Sequence, residues 1–522
     1  MPLAQRISVQ PNRFVAFCAC LGVLTVALSY LVLLGVAFAC VYLPYLILTE
    51  TPVQNINLWI LMVSGVVVAA TILYSMWPRR DRFIPPGVLI DLSAHPAFSS
   101  EVHAIAASLG EDVPREIYLT GDVNASVADQ GGIFGFGSHR IMAIGLPLLS
   151  VLTVSEFRAV LAHEFAHYFG GDTKFGPWVY KTETALIRSF QNIASIGWSG
   201  RLPAAFRLLQ MLITGALKWY FVGFLRLIRF ISRIREFRAD ELAALVAGSE
   251  AMAQGLRKIG GASAAWPTYW DTEVGPILSK GGIPAIGDGF VRFMAAPRIS
   301  AQLTKIAESE LSSDETKPFD THPPLKKRLA ALKKIEGAPL KPDDVLASRL
   351  LSSAASAELA LVEAISPNIK KESLRPVNWS QVAETVIVPS WRSEVREHRA
   401  ILQGVRVEDL AGLARSLHRA GAQIPDPKGT LLSPQQRAER AARLYTVAVC
   451  LLLLDKGWQL DVQPGMSRMY RGDDQVEPLD MINNLRNEHA SSREWAATCQ
   501  RLGIAGLCLD SSLVEAPITR AR

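Results

Sequence analysis

Residues 14–49 carry no charged side chain; the first is Glu50. As a helix, this run exceeds the ~20 residues that cross a hydrocarbon layer of ~30 Å. A second apolar run covers residues 58–77. Two such segments cannot be left facing water, so the pair predicts two transmembrane helices and a lipid bilayer as a partner. The first run is too long for a cleavable signal peptide, whose apolar part is ~7–15 residues, and it has no convincing cleavage site. Its excess reaches the interface near Pro44 and Tyr45. Composition agrees, with 49% apolar residues and a mean hydropathy of +0.20, the excess lying near the N-terminus.

Flanking charge sets the orientation. Arg6 and Arg13 precede the first span, Arg79, Arg80 and Arg82 follow the second, and the connection between them has no Lys or Arg. Positive residues stay on the cytoplasmic side. Both ends of the hairpin, and whatever follows it, are therefore expected in the cytoplasm.

The net charge of +6 over 522 residues is modest, and no basic tract interleaves with aromatics. Nucleic acid is not an expected partner. Six cysteines form no C-x-x-C pair, so neither a cysteine metal site nor a disulfide framework is indicated.

Residues 161–171 read LAHEFAHYFGG and contain His163, Glu164 and His167 in the H-E-x-x-H pattern. On a helix, residues four apart share a face, so the two imidazoles can hold one zinc ion. Glu164 then stands beside the metal, where a bound water with a pKa near 7 would meet a carboxylate able to take its proton. Thr153 and Glu156 form a T-x-x-E capping signal, and Gly170-Gly171 can stop the helix. Five residues are a weak signal alone, and a buried amphipathic helix with satisfied histidines fits them as well.

Zinc needs a third protein ligand if one position is to stay open. Residues 232–244 read SRIREFRADELAA. Glu236 and Asp240 are four apart. Glu236 can ligate, and Asp240 can accept a hydrogen bond from the far nitrogen of a ligand histidine. By spacing alone, a charged helix face fits equally. Glu241 is a rival ligand by type, on a different face.

HEFAH, then SRIREFRADELAA, then THPPLKKR over residues 321–328, in that order, resembles the HtpX-like and type I CAAX prenyl protease family of membrane zinc metallopeptidases. The resemblance covers about residues 79–337. It implies a zincin-like metallopeptidase domain with one Zn2+ per chain, held by His163, His167 and Glu236. Glu164 would be the general base and Asp240 the carboxylate behind a ligand histidine. His322 and Arg328 match the T-H-P block, as oxyanion donors or as anchors of a loop over the site. Asn124-Ala125 matches the family's N-A segment, and an edge strand there would pair with substrate backbone. The resemblance implies protein or peptide substrates, membrane or membrane-proximal, in quality control or processing. It further implies a multi-pass protein of the cell (inner) membrane. Family members often carry two more spans between the zinc helix and E-x-x-x-D. Here residues 203–247 read as one or two long helices with Arg207, Lys218 and Arg229 through the apolar part. These lie on the leaflet, pack in a core, or form distorted spans. The chain also lacks the many spans of the CAAX proteases, which points away from prenylated substrates.

The expected fold is mainly α with a small β-sheet. Residues 1–82 form a membrane anchor with helices at about 14–49 and 58–77, and residues 83–337 the zinc metallopeptidase domain. Residues 338–522 form a mostly helical region of unassigned role, with helices near 407–420 and 433–454 and a hairpin through Pro464-Gly465. The rivals are a CAAX-type processing peptidase with defined substrates and a latent or non-catalytic, metal-stabilised membrane scaffold. Oligomeric state is not legible.

Overall fold

The computed structural model describes residues 13–50, 56–77, 83–130, 139–168, 204–313, 322–336, 341–366, 371–424, 432–487 and 491–511, together with 182, 185–189, 191–192 and 369. It is mainly α with small sheets, as expected. Two compact units emerge: Met1–Ser263 with Thr304–Ser366, and Ala264–Leu303 with Pro367–Arg522.

The first unit begins with α1 (Arg13–Glu50) and α2 (Ile56–Met76). Gly65 of α2 sits against the Cys40 carbonyl of α1, where a Cβ has no room, so the two helices lie very close. Against them packs α6 (Ala204–Ala247), a single unbroken helix of 44 residues. Leu33 and Ala37 of α1, Val68 and Ile72 of α2, and Leu217 and Phe224 of α6 form one buried cluster. Outward, Leu24, Leu31, Val63 and Trp219 are all more than 60% exposed. Such an apolar exterior suits lipid. Among the described residues, three stretches are long and apolar enough to cross a membrane: Leu24–Glu50, Leu58–Met76 and Met211–Ala247. The third is more than the two spans read from sequence, where the charges on α6 obscure it.

Beyond the bundle lies a four-stranded sheet of order β1-β2-β4-β3. Its strands are β1 (Val88–Leu89), β2 (Glu116–Thr120), β3 (Ala125–Gln130) and β4 (His139–Gly145). β2 runs parallel to β4, and β3 pairs antiparallel with β4 from Ala125 opposite Ile144. β3 is an edge. Gly145 turns the chain out of β4: its N–H donates to the Asn124 carbonyl at 2.8 Å, and a Cβ there would collide with the Asp122 carbonyl. α3 (Pro96–Leu109), α4 (Leu146–Val151) and α5 (Val154–Ala166) complete the layer, and α7 (Ser249–Tyr269) follows α6. Residues 341–351 dock on the start of α5, where Val154 N donates to the Val345 carbonyl and Ala347 N to the Leu152 carbonyl, both at 2.8 Å.

The second unit has its own core. Helix Pro434–Asp455 lies at its centre, with Trp458 and Trp495 buried around it. The hairpin through Pro464-Gly465 forms from Gln459–Gln463 and Met466–Arg471, and a third strand, Asp474–Val476, joins it. Residues 407–422 fold as short α and 3-10 turns rather than one helix. There Gly421 lies directly on the backbone of Arg437, a contact no longer side chain permits.

Candidate metal centre

α5 delivers both histidines. Its start is fixed by the capping box read from sequence: Glu156 N donates to Thr153 Oγ1 at 3.2 Å and Thr153 N to Glu156 Oε2 at 2.8 Å. Lys258 of α7 adds its Nζ to the same carboxylate at 2.8 Å. Arg158 forks onto Glu101 of α3 with two contacts of 2.7 Å. Phe157 is fully buried against Phe98, ring centroids 5.9 Å apart. The helix ends at Ala166 with His167 as its cap; Gly170 and Gly171 lie outside the described residues.

α6 packs along α5 and carries Glu236 and Asp240, both buried. His163 Nε2 lies 3.2 Å from His167 Nε2 and 3.5 Å from Glu236 Oε2, and His167 Nε2 lies 3.5 Å from Glu236 Oε1. Among the described residues, His163, His167 and Glu236 form a group whose ligand-type atoms lie within 4.8 Å of one another. Glu236 Oε2 is buried without a well-directed hydrogen bond, although His322 Nδ1 stands 2.8 Å from it. A cation at the centre of the three residues would satisfy that oxygen, so the donor set fits a metal ion.

Asp240 stands behind the group. Its Oδ1 is 3.0 Å from His163 Nδ1. Arg328, on α8 (Leu325–Leu332), donates Nε to Asp240 Oδ2 at 2.7 Å and Nη2 to Oδ1 at 2.6 Å. That fork ties Arg328 to Asp240, and its Nη2 also lies 3.6 Å from Glu236 Oε2. His322 is different: its side chain is 63% exposed and reaches Glu236 from outside. Glu164 lies in the field of His163, Glu236 and His322, and no hydrogen bond ties its carboxylate to another described residue. Glu241 pairs with Arg238 and is 45% exposed, outside the group. Asn124 and Ala125 sit where β3 begins, and β3 packs beside α5.

The electrostatics of the metal-free chain follow from this packing. Burial works against a charged His163, but the carboxylates of Asp240 and Glu236 outweigh it and raise the imidazole to about 9. Burial, then the charge on His163, drops His167 to about 3. Burial pushes Glu164 up to about 7. Burial also opposes ionisation of Glu236, yet its contacts with His163 and His322 hold it below the usual carboxylate range. Arg235, next to Glu236, adds positive charge near His167. The sequence reading missed Arg235, because nothing in its spacing distinguishes it from the other basic residues of α6.

The sequence profile described as Peptidase family M48 matches residues 100–336, which hold His163, Glu164, His167, Glu236, Asp240, His322 and Arg328. Over these residues the chain is similar to peptidase family M48. Relatives of the chain include proteases named HtpX. Protease HtpX homolog 2 of Methanosarcina mazei is 29% identical over 203 residues, which are 38% of this chain and 60% of that protein. Protease HtpX of Pasteurella multocida is 26% identical over 223 residues, 42% of this chain and 65% of its own length. The chain thus spans about three fifths of the archaeal relative it matches. Among solved structures, the crystal structure of S. mikatae Ste24p is similar over 59% of this chain and 67% of that one, with 16% identity and a TM-score of 0.29. That likeness is too slight to bear on the site.

Proposed function

We propose that the chain is a membrane-bound zinc endopeptidase that hydrolyses membrane or membrane-proximal proteins. The spacing of the three ligand side chains carries this reading. Zinc bonds of ~2.0–2.2 Å in a tetrahedron put ligand atoms ~3.3–3.6 Å apart. The two Nε2 atoms are 3.2 Å apart, and each lies 3.5 Å from a Glu236 oxygen, Oε2 for His163 and Oε1 for His167. His163, His167 and Glu236 would hold the ion, and Asp240 would fix the ring of His163 through Nδ1. When bound, zinc supplies Lewis-acid polarisation of the scissile carbonyl. Glu164 is the general base. Its raised proton affinity suits a group that takes a proton and returns it to the leaving amine near neutral pH. The free edge of β3 at Asn124 and Ala125 binds substrate backbone as an added strand.

Orientation has a structural support. Gly22 of α1 packs at Ile231, five residues before Glu236. This sets the arginine-flanked ends of the hairpin toward the site, which by the positive-inside rule supports a cytoplasmic site.

Zinc content tests the reading, measured on wild-type and Glu236→Ala protein with casein-type proteolysis on the same samples. One zinc per chain, lost together with activity in the variant, is expected. Retained zinc in the variant would remove Glu236 from the site. Zinc present and Glu236-dependent but without proteolysis would leave a scaffold.

One observation favours a second reading, a latent form. His322 Nδ1 lies 2.8 Å from Glu236 Oε2 and occupies the outer approach to the site. Under this reading His322→Ala raises the rate on a small peptide, whereas a positioning role lowers it.

A further inference from the structure

The two histidines of the metal centre are held differently. His163 lies inside α5, and Asp240 Oδ1 stands 3.0 Å from its Nδ1. His167 is the cap, one residue past the last helical position. Its polar contacts with described residues, to His163 and Glu236, are all made by Nε2. Among the described residues nothing bonds its Nδ1. A ligand histidine is ordinarily aimed by a partner on the far nitrogen. Without one, the aim of His167 depends on its backbone. That backbone lies where regular helical bonding runs out: His167 N reaches the His163 carbonyl at 3.3 Å, and Tyr168 N turns back to the Phe165 carbonyl at 2.9 Å.

The next residue is clamped. Tyr168 is 4% exposed, and the Arg140 guanidinium lies over its ring, with Cζ 3.8 Å from the centroid. Arg140 is near the start of β4, on the same face as Met142 and Ile144, which are fully buried. Its own position is fixed. Nη1 donates to Glu111 Oε2 at 2.9 Å and to the Asp112 carbonyl at 3.4 Å, and the Arg140 carbonyl accepts from Arg115 N at 2.9 Å. A cation over an aromatic face is attracted by the ring quadrupole, more strongly away from water. Through Tyr168 the charge also lies at the last turn of α5, whose end carbonyls favour a cation. Across the sheet Arg140 is paired with Asp129 of β3. The edge-strand pair and the turn that carries His167 are thus seated on one residue.

We propose that Arg140 is a positioning residue for the metal centre: by clamping Tyr168 it fixes the backbone that aims His167. The proposal rests on the metal-binding reading above. It does for His167, from the sheet, what Asp240 does for His163 from α6. A His167 left to swing must be ordered by the ion itself, at a cost in affinity.

The test measures zinc affinity of the full-length protein in detergent by chelator competition. The melting temperature of the metal-free protein and the visible spectrum of its cobalt form are recorded beside it. Arg140→Met keeps the apolar stem and removes the cation. It should bind zinc about 5–30-fold more weakly, the worth of a desolvated cation–π contact written as a ratio. Its cobalt spectrum should change, as one nitrogen ligand moves. Arg140→Lys and Tyr168→Phe keep the cation and the ring, and both should stay close to wild type. Arg140→Met combined with Tyr168→Leu should cost no more than the larger single change, because the two side chains act as one unit. Unchanged zinc affinity in Arg140→Met, or additive losses in the double variant, would overturn the proposal. So would a loss matched in full by a lower melting temperature of the metal-free protein, which marks a merely structural role. Should Tyr168→Leu fail to fold, Arg140→Met against Arg140→Lys decides, and equal affinities overturn the proposal. Wild-type protein that binds no zinc would instead overturn the metal-binding reading itself.

Discussion

Arg328 and Asp240 are 88 residues apart in sequence and meet in a planar two-bond fork, Nε to Oδ2 at 2.7 Å and Nη2 to Oδ1 at 2.6 Å. Both are buried. The pair serves the histidine in front of it, since the same Oδ1 lies 3.0 Å from His163 Nδ1. Without Arg328, Asp240 would be a buried carboxylate with one partner fewer, free to rotate away from His163.

Arg328→Gln is therefore expected to weaken zinc binding by about 10–100-fold, the usual cost of losing a group that aims a ligand. Arg328→Lys should recover only part of this, because an ammonium cannot bridge both oxygens. Competition with a chromogenic chelator measures it. An unchanged zinc affinity combined with lower activity would instead place Arg328 at the reacting carbonyl.

Glu164→Gln should reduce hydrolysis about 10²–10⁴-fold, the range for removing a positioned general base. Glu164 is not among the three grouped ligand residues, so zinc content should stay at the wild-type value. Metal analysis beside a single-turnover assay separates the two effects. Full activity in this variant would remove Glu164 from the chemistry.

Thr153→Ala should cost about 1 kcal/mol, the usual worth of an N-cap hydroxyl. Phe157→Ala, which empties a fully buried ring site under the same helix, should cost about 3–5 kcal/mol. Thermal unfolding in one detergent ranks them. Both variants act on the seat of His163 and His167, so a lower melting temperature should come with a lower zinc occupancy.

The contrast between these residues explains what was legible in the sequence. H-E-x-x-H, the capping box and the paired carboxylates of α6 are local patterns, each set by helical spacing, and the structure brings them together at ligand distances. The Pro464-Gly465 hairpin was legible too, from turn residues set between two short strand-like runs. The third apolar helix was not, because Lys218, Arg226 and Arg229 break the hydropathy of α6 while its buried face, Leu217 and Phe224 among it, stays apolar. The docking of residues 341–351 on α5 was hidden as well. It is made by backbone hydrogen bonds across nearly two hundred residues, which leave no side-chain pattern to read. Arg328 was found through a motif, but its partner Asp240 depends on where α8 packs, which spacing does not reveal.

The cysteines of the second unit give a pH-dependent outcome. Burial pushes the Cys450 and Cys499 thiols up to about 12. An ordinary thiol ionises near 8.5, so at pH 8 the folded chain holds almost no thiolate at these positions, whereas an unfolded chain holds about a quarter. Iodoacetamide at pH 8 is expected to leave both unlabelled in the native protein and to label both once denaturant unfolds the unit. Cys508, only partly buried, should react first. The sign for stability follows. Between the two values the folded chain keeps protons that the unfolded chain releases, so stability falls as pH rises above about 8.5, by up to ~1.4 kcal/mol per pH unit for each thiol. Cys450→Ala should flatten that decline while lowering the stability at neutral pH. A decline of unchanged slope in the double variant Cys450→Ala, Cys499→Ala would assign the alkaline loss to other groups.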